Sequence, residues 1–370
     1  MKIPITSPSR ELNFVKNIYK KINSELKKGV YIGGDNVNIF EENIKNFLNT
    51  KYVVTLNSGT DALTLSLIAL GIKEGDEVLV PSFTFFASVE CIYHVGAKPI
   101  FVDIDMDTYC FDINDLRNKI TSKTKAAIPV HLFGNSGNLE ELIEISKIYN
   151  IKIVEDAAQS FGSKLTNKKY LGTVGDLGAF SFYPSKTLGG IGDGGMIVTN
   201  NKNYYKTLIQ LKNHGQSDNY EHKIVGTNSR LDSLNALVLN EKLKIFEEIA
   251  YSRNKFYDFY YKNLYDLNWV NLPLKKNKNT LLNYFTISTN PSLRNKLQNY
   301  LSQNNISTAI YYKKPLHLQP AVRNRQQDKP SLKNTLKASK TVLSIPYFAF
   351  AENNEMEYVV SKILKFKPNA

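Results

Sequence analysis

Lys186 stands in the run Ser181-Phe182-Tyr183-Pro184-Ser185-Lys186-Thr187-Leu188-Gly189-Gly190-Ile191-Gly192-Asp193-Gly194-Gly195, directly behind the apolar stretch Ala179-Phe180-Ser181-Phe182. A lysine between a strand end and a glycine-rich turn can have its amine fixed in a cleft instead of left in solvent. Upstream, Glu155-Asp156-Ala157-Ala158-Gln159 closes a second apolar strand. A lysine that forms a Schiff base and an aspartate that faces a pyridinium nitrogen are the two protein groups that pyridoxal phosphate chemistry requires. An unperturbed lysine is almost wholly protonated at neutral pH. To act as nucleophile or base it must be desolvated or set beside positive charge. A buried carboxylate at Asp156 would keep the ring nitrogen protonated, which makes the ring a better electron sink. Taken singly, each residue has a plainer reading: a solvated lysine and a helix-start aspartate.

Asn57-Ser58-Gly59-Thr60 lies between a strand pattern and a helix pattern. Free backbone N–H groups at a helix N-terminus, with hydroxyls beside them, suit a phosphate. The same residues also suit an ordinary helix cap.

The elements that must position these residues follow from hydrophobic periodicity. Strands are expected at Tyr52–Leu56, Glu77–Val80, Pro99–Asp103, Ala126–Val130 and Ile151–Val154. Helical patterns over Asp61–Leu70, Ala87–Val95, Asn114–Ile120 and Leu139–Tyr149 separate them. This alternation predicts an α/β fold with a mostly parallel central sheet and helices on both faces. Such sheets place their sites at the carboxyl ends of the strands, where Ser58, Asp156 and Lys186 fall. Asp232–Leu264 reads as one long helix leading to a smaller C-terminal α+β domain. That domain is expected to hold strands at Tyr284–Ser288 and Val342–Ile345 and helices at Ser292–Leu301 and Asn354–Leu364. The expected division is a large cofactor-binding domain over 1–240 and a small domain over 241–370, with Arg323–Lys329 a surface loop.

The 370 residues are 42% hydrophobic and 22% charged, and the formal net charge is +13. The lysines are dispersed, so the charge reads as a solvated surface, with no basic block, helix-turn-helix or RNA-binding aromatic signature to imply nucleic acid. The two cysteines, Cys91 and Cys110, form no Cys-x-x-Cys pair, so neither a disulfide framework nor a metal site is expected. No apolar stretch approaches the length of a membrane span and no secretory pattern opens the chain, so the expected localisation is cytoplasmic.

With these residues in place, the chain resembles the DegT-type nucleotide-sugar aminotransferases, pyridoxal phosphate enzymes of the aspartate-aminotransferase fold. The resemblance runs from about Tyr31 to Tyr347. It rests on an ordered set: Gly33-Gly34, Asn57 to Leu63, Gly75-Asp76-Glu77-Val78 leading to Pro81 to Phe85, Pro129 to Gly134, Glu155 to Gln159, Ser181 to Gly195, Gly226 to Leu231, and Pro315 to Pro320. Carried over, it implies that Lys186 binds the cofactor carbonyl and Asp156 the pyridinium. It places Gln159 by the ring hydroxyl, Phe85 on the ring face, and Gly59, Thr60 and Ser181 on the phosphate. Asn228 would reach the phosphate of the neighbouring subunit, which implies a homodimer with shared sites. Tyr31, Tyr183 and His317 would contact sugar or nucleotide; His131 has an equal claim to be a core histidine. Lysine at position 186 argues against the family branch that carries histidine there and deoxygenates its sugar.

The resulting expectation is a transaminase that passes nitrogen from glutamate to a keto group of a dTDP- or UDP-linked hexose, at carbon 3 somewhat in preference to carbon 4. Two rivals remain: a non-catalytic cofactor- or nucleotide-sugar-binding regulator, and an amino-acid transaminase of the same fold. The latter would need an arginine clamp for a carboxylate, for which Arg230 and Arg323 are the candidates.

Overall fold

The computed structural model describes residues 1–217, 220–275, 277–325 and 330–368. Part of the expected 323–329 loop and the last two residues lie outside these. Seven strands form the large sheet: β1 (Tyr52–Leu56), β2 (Glu77–Pro81), β3 (Lys98–Val102), β4 (Thr124–Ala127), β5 (Lys152–Asp156), β6 (Leu177–Ser181) and β7 (Gly195–Thr199). Their spatial order is β1-β7-β6-β5-β4-β2-β3. All pairings are parallel except those of β7, which runs antiparallel to both β1 and β6. The residues of β2 and β7 are all buried, as befits strands covered on both faces.

The expected α/β sheet is present, with three differences in detail. β4 stops at Ala127; beyond it Val130 makes only an isolated bridge to Asp156. β7 had not been expected, because it starts inside the glycine-rich run and shows no alternation. The pattern over 232–264 is two helices, Ser233–Lys244 and Phe246–Leu264. Ile245, at φ −107° and ψ 20°, leaves the helical region and breaks them apart.

β7 explains where the lysine sits. The chain leaves β6 at Ser181 and returns as β7 from Gly195, so the run bearing Lys186 is the connection at the carboxyl end of β6. Because β7 is antiparallel to both neighbours, β1 and β6 point the same way, as does β5. Their carboxyl ends, at Leu56, Asp156 and Ser181, therefore share one edge of the sheet.

A second sheet, in the order β10-β9-β8, is antiparallel: β8 (Val270–Asn271), β9 (Phe285–Thr289) and β10 (Val342–Ile345). It packs on the helices Phe246–Leu264, Pro291–Gln303 and Asn353–Lys365 around Phe256, Tyr260, Phe285 and Leu343. Ile3 belongs to this core and bridges to Ile306, so the N-terminal residues cross to the smaller unit. In the large unit the helix Gly59–Ala69 buries Ala62, Leu63, Leu65, Ser66 and Leu67 against β6, β7 and neighbouring helices, on more than one of its faces. Ser58 caps it by accepting from Asp61 N at 3.1 Å.

Candidate active site

A cavity of about 720 Å³ opens at the shared strand edge. Lys186, Asp156, Gly59, Thr60, Phe85, Gln159, Ser181 and Tyr183 all line it. Eight of the residues singled out from the sequence thus meet in one place.

Asp156 and Glu155 illustrate how a strand sorts adjacent residues. Successive side chains on β5 point to opposite faces. Glu155, fully buried, accepts from Gly172 N (2.7 Å), Val174 N (2.6 Å) and Gly175 N (2.7 Å), and from His131 Nε2 (2.8 Å). Burial alone would raise its pKa, but the His131 and backbone donors outweigh burial and hold it below the ordinary carboxylate value. His131 is thereby a satisfied core histidine and does not line the cavity. Asp156 faces the cavity instead. Its Oδ2 accepts from Ser88 Oγ at 2.8 Å and its Oδ1 from Ala158 N at 3.2 Å. Burial raises its pKa, and the Ser88 and Ala158 hydrogen bonds and the Lys186 charge only partly offset this.

Gln159 is fixed at both ends of its amide: Oε1 accepts from Phe133 N (2.9 Å) and Nε2 donates to Tyr312 Oη (3.1 Å). Phe85 is 57% exposed, an unusual condition for an aromatic at the mouth of a fold, and its ring centroid lies 6.3 Å from that of Tyr312. At the opposite end, the start of the helix Gly59–Ala69 abuts the end of β6. A Cβ at Gly59 would come within 2.8 Å of Ser181 Cβ, so glycine is needed for this approach.

These features fit pyridoxal phosphate. A helix N-terminus with the hydroxyl-bearing Thr60 and Ser181 suits the phosphate. A flat, exposed aromatic suits a ring face. A buried carboxylate whose charge is disfavoured by burial gains most from a cationic ring nitrogen.

Three predicted residues stand elsewhere. Asn228 is exposed and bridges to Asn213, outside this chain's cavity. Tyr31 is 52% exposed, its hydroxyl donating to Leu26 O at 3.2 Å. His317 is buried behind the wall, with Nδ1 2.6 Å from Ser82 Oγ. Neither Arg230 nor Arg323 lines the cavity. Sequence reasoning missed Ser88, Tyr284, Tyr311 and Tyr312. The last pairs with Gln159 across 153 residues of chain, a distance at which no spacing pattern operates.

The DegT/DnrJ/EryC1/StrS aminotransferase family matches residues 13–364. The chain is 34% identical to the pleiotropic regulatory protein of Geobacillus stearothermophilus, over 99% of both chains. It is 36% identical to dTDP-3-amino-3,6-dideoxy-alpha-D-galactopyranose transaminase of Aneurinibacillus thermoaerophilus, over 96% of this chain and 98% of that one. Its fold is similar to that of S. venezuelae DesV, solved in complex with a ketimine intermediate, with a TM-score of 0.93 and 32% identity over 98% and 97% of the two chains. The cofactor is pyridoxal phosphate. With a family match spanning all but its ends, and a cavity at the strand edge whose lining fits the cofactor, the chain belongs to the DegT/DnrJ/EryC1/StrS aminotransferases.

Proposed function

We propose that the chain moves an amino group from glutamate to the keto carbon of a dTDP- or UDP-linked deoxyhexose, at carbon 3 in preference to carbon 4. The observation that carries this reading is the convergence of Lys186 and Asp156 on one cavity with a helix N-terminus and an exposed aromatic. The family match and the transaminase relative, whose own product is a dTDP-3-amino sugar, support the substrate class and the carbon.

Pyridoxal phosphate, when bound, supplies the electron sink that lets an amine's α-carbon lose a proton. In this reading Lys186 would hold the cofactor at its carbonyl, and its amine would move the proton at the donor's α-carbon. Asp156 holds the proton on the ring nitrogen. Ser88 and Ala158 keep that carboxylate oriented through the hydrogen bonds described above. Gln159, locked between Phe133 and Tyr312, would hold the ring hydroxyl side, and Phe85 would cover a ring face. Gly59, Thr60 and Ser181 hold the phosphate. Asn228, outside its own cavity, is assigned to the phosphate of a partner copy, making a homodimer with shared sites. Tyr31, also on the outer surface, is assigned to the partner's sugar side. Tyr183 meets the sugar in its own cavity, whereas His317, buried and off the cavity lining, is given no substrate contact in this reading. We also propose units of 1–240 and 241–370, which assign one sheet to each.

The test is spectroscopic. Purified protein with added cofactor should be yellow, glutamate should bleach the visible band, and a dTDP- or UDP-keto sugar should restore it. Lys186→Ala should abolish the band. A wild-type chain that never develops it would sink the reading. The relative named for regulation raises the alternative of a non-catalytic binder; a band that persists unchanged through every amino donor would favour that alternative. A strong preference for a small keto acid over any nucleotide sugar would favour an amino-acid transaminase.

A further inference from the structure

The connection bearing Lys186 is short of regular structure, yet it must hold one amine in register with Asp156. Its own backbone supplies some closure: Lys186 N donates to Tyr183 O (2.8 Å) and Gly190 N to Phe182 O (2.8 Å). On either side of Lys186, Ser185 Oγ lies 3.0 Å from Tyr284 Oη and Thr187 Oγ1 donates to Asn283 Oδ1 at 3.1 Å. The glycine-rich half of the loop is held by one helix behind it, Ser233–Lys244. Asn235, near its start, accepts from Ile191 N at 3.0 Å and donates to Asp193 O at 2.8 Å. Lys242, two turns later on the same helix, donates to Gly189 O. Residues seven apart face the same way on a helix, so one helix face grips the loop on both sides of Gly190.

Lys242 is an unusual grip. It is 1% exposed, and its ammonium is paired with Glu11, whose carboxylate is also buried. A buried ammonium is costly unless paired and hydrogen-bonded. An uncharged donor such as Asn235 would have served a bare loop contact. Glu11 comes from the N-terminal helix Pro8–Asn13. Its neighbour Arg10 forms a bidentate pair with Glu355 of the smaller unit, at 2.5 and 2.6 Å.

We infer that Lys242, with Glu11 as its buried counter-ion, is a positioning residue for Lys186. The charged hydrogen bond to Gly189 O sets the height of the loop at the cavity floor. The N-terminal helix couples that setting, through Arg10 and Glu355, to the smaller unit. The inference rests on the reading of Lys186 as the cofactor-binding lysine.

The experiment compares wild type, Glu11→Gln, and the double variant Lys242→Met/Glu11→Leu, which removes both charges together and so leaves no orphan ion. The readouts are the apo-chain melting temperature, the rate at which folded apo chain captures pyridoxal phosphate, and the pH midpoint of the bound cofactor's visible band. The double variant is expected to capture cofactor about tenfold more slowly per folded molecule, the scale of one charged hydrogen bond. Its midpoint should move by about half a pH unit, a fraction of the interaction energy of one ionised pair. Glu11→Gln should change both in the same direction and less. Normal capture and midpoint in the double variant would overturn the proposal, whatever its melting temperature. If that variant gives no folded chain, an unchanged midpoint in Glu11→Gln overturns it instead. Capture by Lys186→Ala at the wild-type rate would sink the underlying site reading and the inference with it, whereas normal capture and midpoint in the double variant beside a failing Lys186→Ala would sink the Lys242 inference alone.

Discussion

Asp156 is a residue whose service to the site and service to the fold pull apart. Burial sets its folded pKa above the ordinary carboxylate value. The folded chain therefore binds its proton more tightly than the unfolded chain does. Its contribution to stability is most favourable below the unfolded pKa and declines as pH rises through the raised folded value. An amide has no charge to bury; its oxygen can accept from Ala158 N while its NH2 donates to the Ser88 hydroxyl, which can accept as well as donate. Asp156→Asn is thus expected to leave the apo chain at least as heat-stable as wild type at pH 7. The same change should weaken pyridoxal phosphate binding by about tenfold or more, because a pyridinium loses its ion partner. Paired melting curves and cofactor titrations check this; a variant that both melts earlier and binds normally would contradict it. That Asp156 and Lys186 would meet at one edge was readable from the sequence, because Asp156 ends β5 and Lys186 lies in the glycine-rich run just after β6. Ser88 and Tyr312 were not, since their roles exist only once the fold brings them to Asp156 and Gln159.

At the scale of elements, Glu155 holds the β5–β6 region together. One buried carboxylate gathers three backbone N–H groups of the 172–175 turn and the His131 ring. Gly172 is forced there too: its φ is +87°, and a Cβ would lie 2.3 Å from the Phe180 ring. Because donors hold the folded pKa of Glu155 below its ordinary value, its stabilisation is present above the unfolded pKa and is lost as pH falls through the folded one. Glu155→Gln would turn an NH2 toward N–H donors, and the buried network would lose about 3 kcal/mol at pH 7. The acid limb of its stability curve should also flatten between the ordinary carboxylate pKa and the lower folded value. Equal stability of the two proteins at pH 7 would refute this account. Here the sequence was partly legible. Apolar runs bounded by turn residues placed β1 to β5, β9 and β10, since such runs are local signals. β7 and the break at Ile245 were missed: Met196-Ile197-Val198-Thr199 is an apolar run between glycines and Asn200-Asn201, but it merges into the glycine-rich stretch, and the break at Ile245 interrupts a helical pattern that has no glycine or proline to mark it.

For the whole molecule, the question is how the smaller unit keeps its position over the cavity wall that Tyr311 and Tyr312 contribute. The core is continuous across the join, since Ala338 and Val342 pack in the same cluster as Phe101 and Ile104. A specific cap adds direction. Asp103, just past β3, accepts from Asn334 N (2.9 Å) and Thr335 N (2.7 Å), two free amides at the start of the helix Lys333–Thr341. It does for that helix what a local cap residue does elsewhere, from the other unit. Asp103→Ala leaves those amides, of which that of the buried Thr335 has no access to water, without their acceptor, at a cost of about 1 kcal/mol. Local opening of the helix should become roughly fivefold more frequent. Hydrogen exchange at its first-turn amides should rise accordingly, while amides of β5 and β6 keep their wild-type protection. Asp103→Asn retains one acceptor oxygen and should fall between. Uniform exchange across both sheets in Asp103→Ala would mean the two units open as one body, and that the apolar cluster, without the cap, holds the smaller unit in place.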